Sequence, residues 1–204
     1  MVHKLTVKEL IDYLATAEGS SIHRNKTEED VTAFYGVYRL YNKKFEGWWW
    51  LDDTAKENGF SDYRTNRKSM KALNKLIHND PILWNAYQAI SSMFHKRNMS
   101  KMKLDKFPSS KTALTFFSLV TNAGKKRGVV VMQRALTEMG IPTSDDGAFG
   151  PGTARNLGKV TDAEKLNKLM LKHMQKFYDY LVAKNPSKYG IYAKGWKNRL
   201  TALA

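Results

Sequence analysis

Hydrophobic positions along this chain recur mostly at helical spacing. Val7, Leu10, Ile11 and Leu14 fall at i, i+3, i+4 and i+7, which predicts an amphipathic helix. Glu18 lies four residues beyond Leu14 and continues that apolar stripe, just where Gly19 and two serines break the helix. A carboxylate at this place is either exposed at a frayed end or held against apolar surface, which is costly while it is charged. The stretch from Ser20 to Tyr41 is polar and then aromatic, without helical period, and has room for a long loop or for short strands. Trp48, Trp49 and Trp50 follow in a row. Successive helical side chains point about 100° apart, so the three cannot share one core and at least one is expected to border a groove.

Met70, Leu73, Leu76 and Ile77 predict a second amphipathic helix ending near Asn79. Asp80-Pro81 reads as an N-cap with proline at the first helical position, opening a helix through Leu83, Tyr87, Ile90 and Phe94. Lys96 to Ser109 is a basic connector between two halves. Beyond it, Ala113, Phe116, Phe117 and Val120 predict a buried helix stopped at Asn122-Ala123-Gly124, and Val129, Met132, Leu136 and Met139 another, stopped by Gly140 and Pro142. Thr161 to Glu164 has the form of a capping box with Thr161 at the N-cap. It opens a long helix through Leu166, Leu169, Met170, His173, Phe177 and Leu181, closed by Asn185-Pro186. The expected fold is mainly α, with a small β-hairpin accommodated in the 20–41 stretch, and no repeat of fixed period occurs.

Composition narrows this picture. The 204 residues suffice for one ordinary domain or two helical halves sharing a cleft, and 42% hydrophobic with 26% charged residues is globular composition. Lysine and arginine number 34 against 19 acids, a formal net charge of +15, so an anionic partner is implied: nucleic acid, an acidic membrane surface or the bacterial wall. The cations are spread along the chain, with clusters at Lys125-Lys126-Arg127 and from Lys101 to Lys106, each of which reads alone as solvated surface. No helix concentrates lysines and aromatics as a nucleic-acid reader does, so a nucleic-acid partner ranks last. The absence of cysteine excludes disulfides, a thiol nucleophile and cysteine-ligated zinc. Ala15-Thr16-Ala17 has the outline of a signal cleavage site, but Lys8, Glu9 and Asp12 interrupt the apolar run that a signal peptide requires. The expectation is a chain made without a signal peptide and without membrane insertion.

Standard chemical signatures fail one by one. The histidines at 3, 23, 78, 95 and 173 have no His-Glu-x-x-His spacing, and His173 reads as a packed core histidine, so no metal site is expected. Gly124-Lys125 ends like a phosphate-binding loop, but Leu119 stands where the first glycine must be. No cofactor is implied.

A resemblance carries more. Ala17-Glu18-Gly19, followed by Tyr35-Gly36-Val37 with Gly36 eighteen residues after Glu18, resembles the Glu-Gly-Gly … Thr-x-Tyr-Gly-Ile signature of glycoside hydrolase family 108, lysozyme-like N-acetylmuramidases of phages and bacteria. Leu104 to Gly124, with Phe107-Pro108-Ser109 and Val120-Thr121-Asn122-Ala123-Gly124, is similar to that family's segment ending in Val-Asn-Ser-Gly. Met132-Gln133-Arg134-Ala135-Leu136 resembles its Leu-Gln-Arg-Ala-Leu, and Asp146-Gly147-Ala148-Phe149-Gly150-Pro151-Gly152-Thr153 its Asp-Gly-x-Ile-Gly-Pro-x-Thr. Gly195-Trp196 and Arg199 are similar to its Gly-Trp-x-x-Arg, and the blocks keep the family's order. Ser20 replaces the second glycine, and the chain is one residue longer between Glu18 and Gly36, so the family threonine falls on Thr32 or Ala33.

The resemblance implies a lysozyme-like catalytic half at 1–104 and a peptidoglycan-binding-type helical half at 105–204 completing the same globular unit. It makes Glu18 the general acid for the leaving oxygen, with a second carboxylate among Glu28, Glu29 and Asp30, Glu28 foremost, and Thr32 positioning water. The resemblance makes Tyr35, Gly36 and Asn122 the substrate-binding residues, although from the residues alone Asn122 reads first as a helix cap and the 146–153 block as a fold-shaping turn. The implied partner is bacterial peptidoglycan, acted on in the periplasm by a monomeric phage endolysin released with a holin, or by a virion-borne lysozyme. A lytic transglycosylase using Glu18 as acid and then base, and a non-catalytic wall-binding module, are the alternatives.

Overall fold

The structure, a computed structural model, describes residues 3–24 and 28–204. Met1–Val2, part of the basic N-terminal start, and Asn25–Thr27, inside the irregular stretch, lie outside the described residues. The fold is mainly helical with one small antiparallel sheet. Two compact units divide it: Val7–Asn98, and Met99–Ala204 joined by the N-terminal residues up to Thr6.

The first unit begins with α1 (Val7–Ala17), which buries Leu10, Ile11 and Leu14 as the spacing predicts. The chain then turns, and β1 (Thr32–Ala33) pairs with β2 (Val37–Tyr38) in the register Thr32 with Tyr38 and Ala33 with Val37. His23 adds a bridge on the other side of Thr32, exchanging both backbone hydrogen bonds with it at 2.8 and 2.9 Å. Next come α2 (Gly47–Glu57), α3 (Arg67–Asn79) and α4 (Pro81–Lys101). The three tryptophans of α2 separate as their angular spacing requires: Trp48 is fully buried, Trp50 is half-buried and Trp49 is 62% exposed. Asn66 caps α3, accepting from the Lys68 and Ser69 amides, and Asp80 caps α4 in the same way through the Ile82 and Leu83 amides.

Helix α4 departs from expectation twice. It runs on to Lys101, so the first residues of the stretch read as a connector are helical. Its buried stripe is Tyr87, Ser91 and His95, spaced by four, while Ile90 and Phe94 are only half-buried. Two of those three side chains are polar, so hydrophobic periodicity could not mark this face.

The second unit opens with a 3₁₀ turn, Leu104–Lys106, and α5 (Ser110–Ala123), whose capping box joins Ser109 and Thr112. It continues through α6 (Lys125–Glu138), α7 (Pro151–Leu157), α8 (Ala163–Lys184), α9 (Pro186–Tyr189) and α10 (Ala193–Ala202). Helices α5, α6 and α8 pack on one another around Phe116, Val129, Met132, Leu136, Leu166 and Met170. The N-cap of α8 is Asp162, not Thr161, because the Asp162 carboxylate accepts from the Lys165 amide at 2.9 Å and aspartate is the better cap. The buried stripe of α8 follows Leu166, Met170, Met174 and Tyr178. His173 and Phe177 are therefore half-buried at its margin, and His173 pairs with Glu138 at 2.9 Å rather than packing in the core.

One side chain shapes the loop between α6 and α7. Gln133 is buried on α6, and its amide nitrogen donates to Asp146, to the Ala148 carbonyl and to Thr153, while its oxygen accepts from the Gly147 amide at 2.9 Å. Gly147 takes φ 76°, and a Cβ there would come within 2.6 Å of Lys126 Cγ. The blocks Met132–Leu136 and Asp146–Thr153 are thus two sides of one hydrogen-bonded turn. Gln133→Ala leaves buried polar groups without partners, at about 1–3 kcal/mol, and chemical denaturation of the second unit should register a loss of that size.

Candidate functional site

Glu18 follows the last turn of α1, its amide donating to the Leu14 carbonyl at 2.8 Å, and its side chain is half-buried. Against it lies the tip of the hairpin. A Cβ built on Gly36 would stand 3.0 Å from Cγ of Glu18, 3.3 Å from its Cβ and 3.6 Å from its carboxyl carbon. The chain thus brings Glu18 and Gly36 into contact, and a side chain at this position would force the Glu18 side chain to give way by a few tenths of an ångström.

The tip is held in an unfavourable backbone state. Phe34, Tyr35 and Gly36 have φ of 51°, 58° and 90°, three successive residues in the left-handed region. For the two aromatic residues this costs about 1–2 kcal/mol each. Helix α4 supplies the compensation. The Phe34 amide donates to the hydroxyl of buried Tyr87, and the Phe34 carbonyl accepts from Nε2 of His95 at 2.9 Å. Gln88 donates to the Tyr35 hydroxyl at 2.5 Å, and the Phe34 ring stacks on Tyr87 with centroids 4.6 Å apart. Burial pushes the Tyr87 and Tyr35 hydroxyls above the ordinary tyrosine value, so both stay protonated.

Helix α3 secures the segment after Glu18. Asn74 accepts from the Ile22 amide and donates to the Ile22 carbonyl, both at 2.8 Å. Ser20, where the family resemblance has its second glycine, lies 3.2 Å from Nε2 of His78, whose Nδ1 donates to the Asn74 carbonyl at 2.7 Å. A neutral His78 then has only Nε2 left as acceptor, so the Ser20 hydroxyl is the donor.

The acids of the loop differ in setting. Asp30 is gripped by Arg64, Nε to Oδ1 at 3.0 Å and a terminal nitrogen to Oδ2 at 2.5 Å, and it also accepts from the Val31 amide. Desolvation pushes its carboxyl up, but the hydrogen bonds and charge of Arg64, with the Val31 amide, outweigh this and hold it below the ordinary aspartate value. Glu28 is half-buried, with its backbone carbonyl accepting from Arg24, and Glu29 is exposed. Thr32 is buried in β1 between His23 and Tyr38. Asp52 of α2 forms a second ion pair, with Arg39 at 2.5 Å, and accepts from the Tyr63 hydroxyl, tying the end of the hairpin to α2.

Asn122 belongs to the other unit, at the end of α5, where its amide nitrogen donates to the Ser118 carbonyl at 2.8 Å. That is the helix-capping alternative. The residues that shape the turn from behind, Tyr87, Gln88 and His95, and those that hold the Ser20–Ile22 segment, Asn74 and His78, were given no part in the site by sequence, although Tyr87 was placed on the stripe of its helix. No spacing rule marks a polar residue whose partner lies far away in sequence.

Two outcomes follow from this geometry. Gly36→Ala adds left-handed strain and a 3.0 Å contact with Glu18, and thermal or chemical unfolding should show a loss of at least about 1–2 kcal/mol. Burial holds the His95 imidazole below the ordinary histidine value of 6.5. The folded unit therefore binds fewer protons than the unfolded chain, so stability is complete above that pH and falls as pH drops through 6.5 toward the depressed value. His173, also lowered, acts with the same sign in the second unit. Melting curves between pH 7.5 and 5 should decline, and His95→Gln should flatten the part of the slope belonging to the first unit.

Comparison with known proteins locates one family. No curated protein and no solved structure matches the chain. Residues 127–201, wholly inside the second unit, match the family described as Predicted Peptidoglycan domain, so this unit carries a predicted peptidoglycan-binding domain, which points to interaction with the cell wall.

Proposed function

We propose that the chain is a peptidoglycan hydrolase, a muramidase similar to glycoside hydrolase family 108, in which residues 1–104 cleave the glycan and 105–204 hold the wall. The contact between Glu18 and Gly36 carries this reading. It joins the two anchors of the family signature in space, with one of them a carboxyl against a rigid, strained turn, and strain of that kind gathers at functional sites. Glu18 gives its proton to the leaving glycosidic oxygen while positive charge develops on the sugar. The turn fixes the direction from which the carboxyl acts, and Tyr35 and Gly36 border the sugar. Glu28 is the second carboxyl, and Thr32 steadies the attacking water. The +15 net charge speeds encounter with the anionic wall. Release through a holin as a phage endolysin, or delivery on a virion, accounts for access to that wall.

A second reading has its own support. Both oxygens of Asp30 are engaged by Arg64, which removes one of the three candidate second carboxylates from the role of free base. That favours a lytic transglycosylase, in which Glu18 alone acts as acid and then base and an anhydro-sugar forms without water.

Turbidity of outer-membrane-permeabilised bacteria and mass spectrometry of the digest test both. Glu18→Gln should slow clearing by about 10²–10⁴-fold at an unchanged melting temperature. Near-full activity in that variant removes Glu18 from the mechanism. Reducing muramic ends mean hydrolysis and anhydro ends transglycosylation. A wild-type chain that binds walls without clearing them is a non-catalytic binding module.

A further inference from the structure

Helices α6 and α8 border two adjoining hollows on the second unit, of about 210 and 520 Å³, which share Arg127, Arg134 and Phe177 as a common wall. Lys176 and Tyr180 line the smaller hollow, Lys125 and Lys126 the larger. The Arg127 guanidinium lies 4.3 Å from the centre of the Phe177 ring. Stacked there, it is oriented by the aromatic face while its in-plane N–H groups remain available to a planar anion. Arg134 meets Asp145 at 2.8 Å, the one carboxylate among the lining residues of either hollow. Tyr180 is 57% exposed, so an aromatic surface and cations face solvent together.

These cations do not serve the helix that carries them. Lys125, Lys126 and Arg127 fill the first turn of α6, which has no acidic residue, and positive charge at the positive end of a helix dipole is destabilising. Phe177 likewise stands outside the buried stripe of α8. Concave shape, unbalanced positive charge and an aromatic wall point to a ligand with a carboxylate and a small apolar surface. In peptidoglycan the N-acetylated sugar backbone is nearly neutral, and the free carboxylates belong to the peptide stems, which present them beside alanine methyl groups.

We propose that the groove between α6 and α8 binds the peptide stems of peptidoglycan through their carboxylates, with Arg127 and Lys176 as the principal anion contacts and Phe177 and Tyr180 as the apolar wall. This rests on the peptidoglycan-binding reading of residues 127–201.

The test is co-sedimentation of the full chain with purified sacculi, in a Glu18→Gln background so that the polymer is not consumed. Arg127→Ala and Lys176→Ala should each weaken binding by about tenfold, as for a hydrogen bond to a charged group. Lys176 is exposed, so its removal leaves packing intact and the result readable even if Arg127→Ala disturbs the fold. Lys168→Ala, which removes the same charge from an exposed position of α8 outside the groove, should change binding less than about twofold. A soluble muramyl tetrapeptide should compete, and its carboxamide should not. Equal losses at Lys168 and in the groove, or undiminished binding to glycan stripped of its peptides, overturn the inference while leaving wall binding in place. A parent chain that does not sediment with sacculi at all overturns the wall-binding reading itself.

Discussion

The first unit depends on how the backbone of a single residue is held. The two backbone polar groups of Phe34 are both satisfied by side chains of α4, the amide by the Tyr87 hydroxyl and the carbonyl by the His95 imidazole. Without those bonds, three successive left-handed residues would relax. With them, Gly36 is carried against Glu18 and the hairpin has a fixed tip. Burial raises the Tyr87 hydroxyl and lowers the His95 imidazole, so both remain neutral hydrogen-bonding groups rather than ions in a desolvated place.

Charge is handled differently at the edges of the same unit. Asp30 and Asp52 are each held as ions by a two-point arginine contact, Asp30 by Arg64 and Asp52 by Arg39. These pairs tie loop to loop and hairpin to α2, which makes them positioning devices for the segments around Glu18. In the second unit the same task falls to an uncharged amide, since Gln133 supplies donor and acceptor to a loop that has no strand to pair with.

Sequence reading succeeded where burial is apolar and local. The stripes of α1, α3, α5 and α6, the Asp80-Pro81 start of α4 and the division of labour among Trp48, Trp49 and Trp50 follow from side-chain spacing and cap chemistry alone. It failed where polar side chains make the buried face. The stripe of α4 was drawn through Ile90 and Phe94 because Ser91 and His95 carry no hydrophobic signal, yet they are the residues turned inward. The α8 stripe was displaced toward His173 and Phe177, while Asn167, Met174 and Tyr178 are the buried ones. Of the candidate site, Glu18 and Gly36 were legible through resemblance, and their contact is a tertiary fact that no spacing contains. The roles of the residues behind the turn were invisible because each acts on a group more than fifty positions away, Tyr87 and His95 on the Phe34 backbone and Gln88 on the Tyr35 hydroxyl.

Phe34 is both the most constrained backbone position of the hairpin and a central piece of the aromatic core. Its ring packs on Phe45, Trp48 and Tyr87. Core and turn therefore have no separate melting: a fluctuation that loosens the ring also frees the peptide, and one that frees the peptide withdraws the ring. Whatever Glu18 does, its competence and the folding of its unit are a single cooperative event, so heat should leave no population that is folded there yet inert.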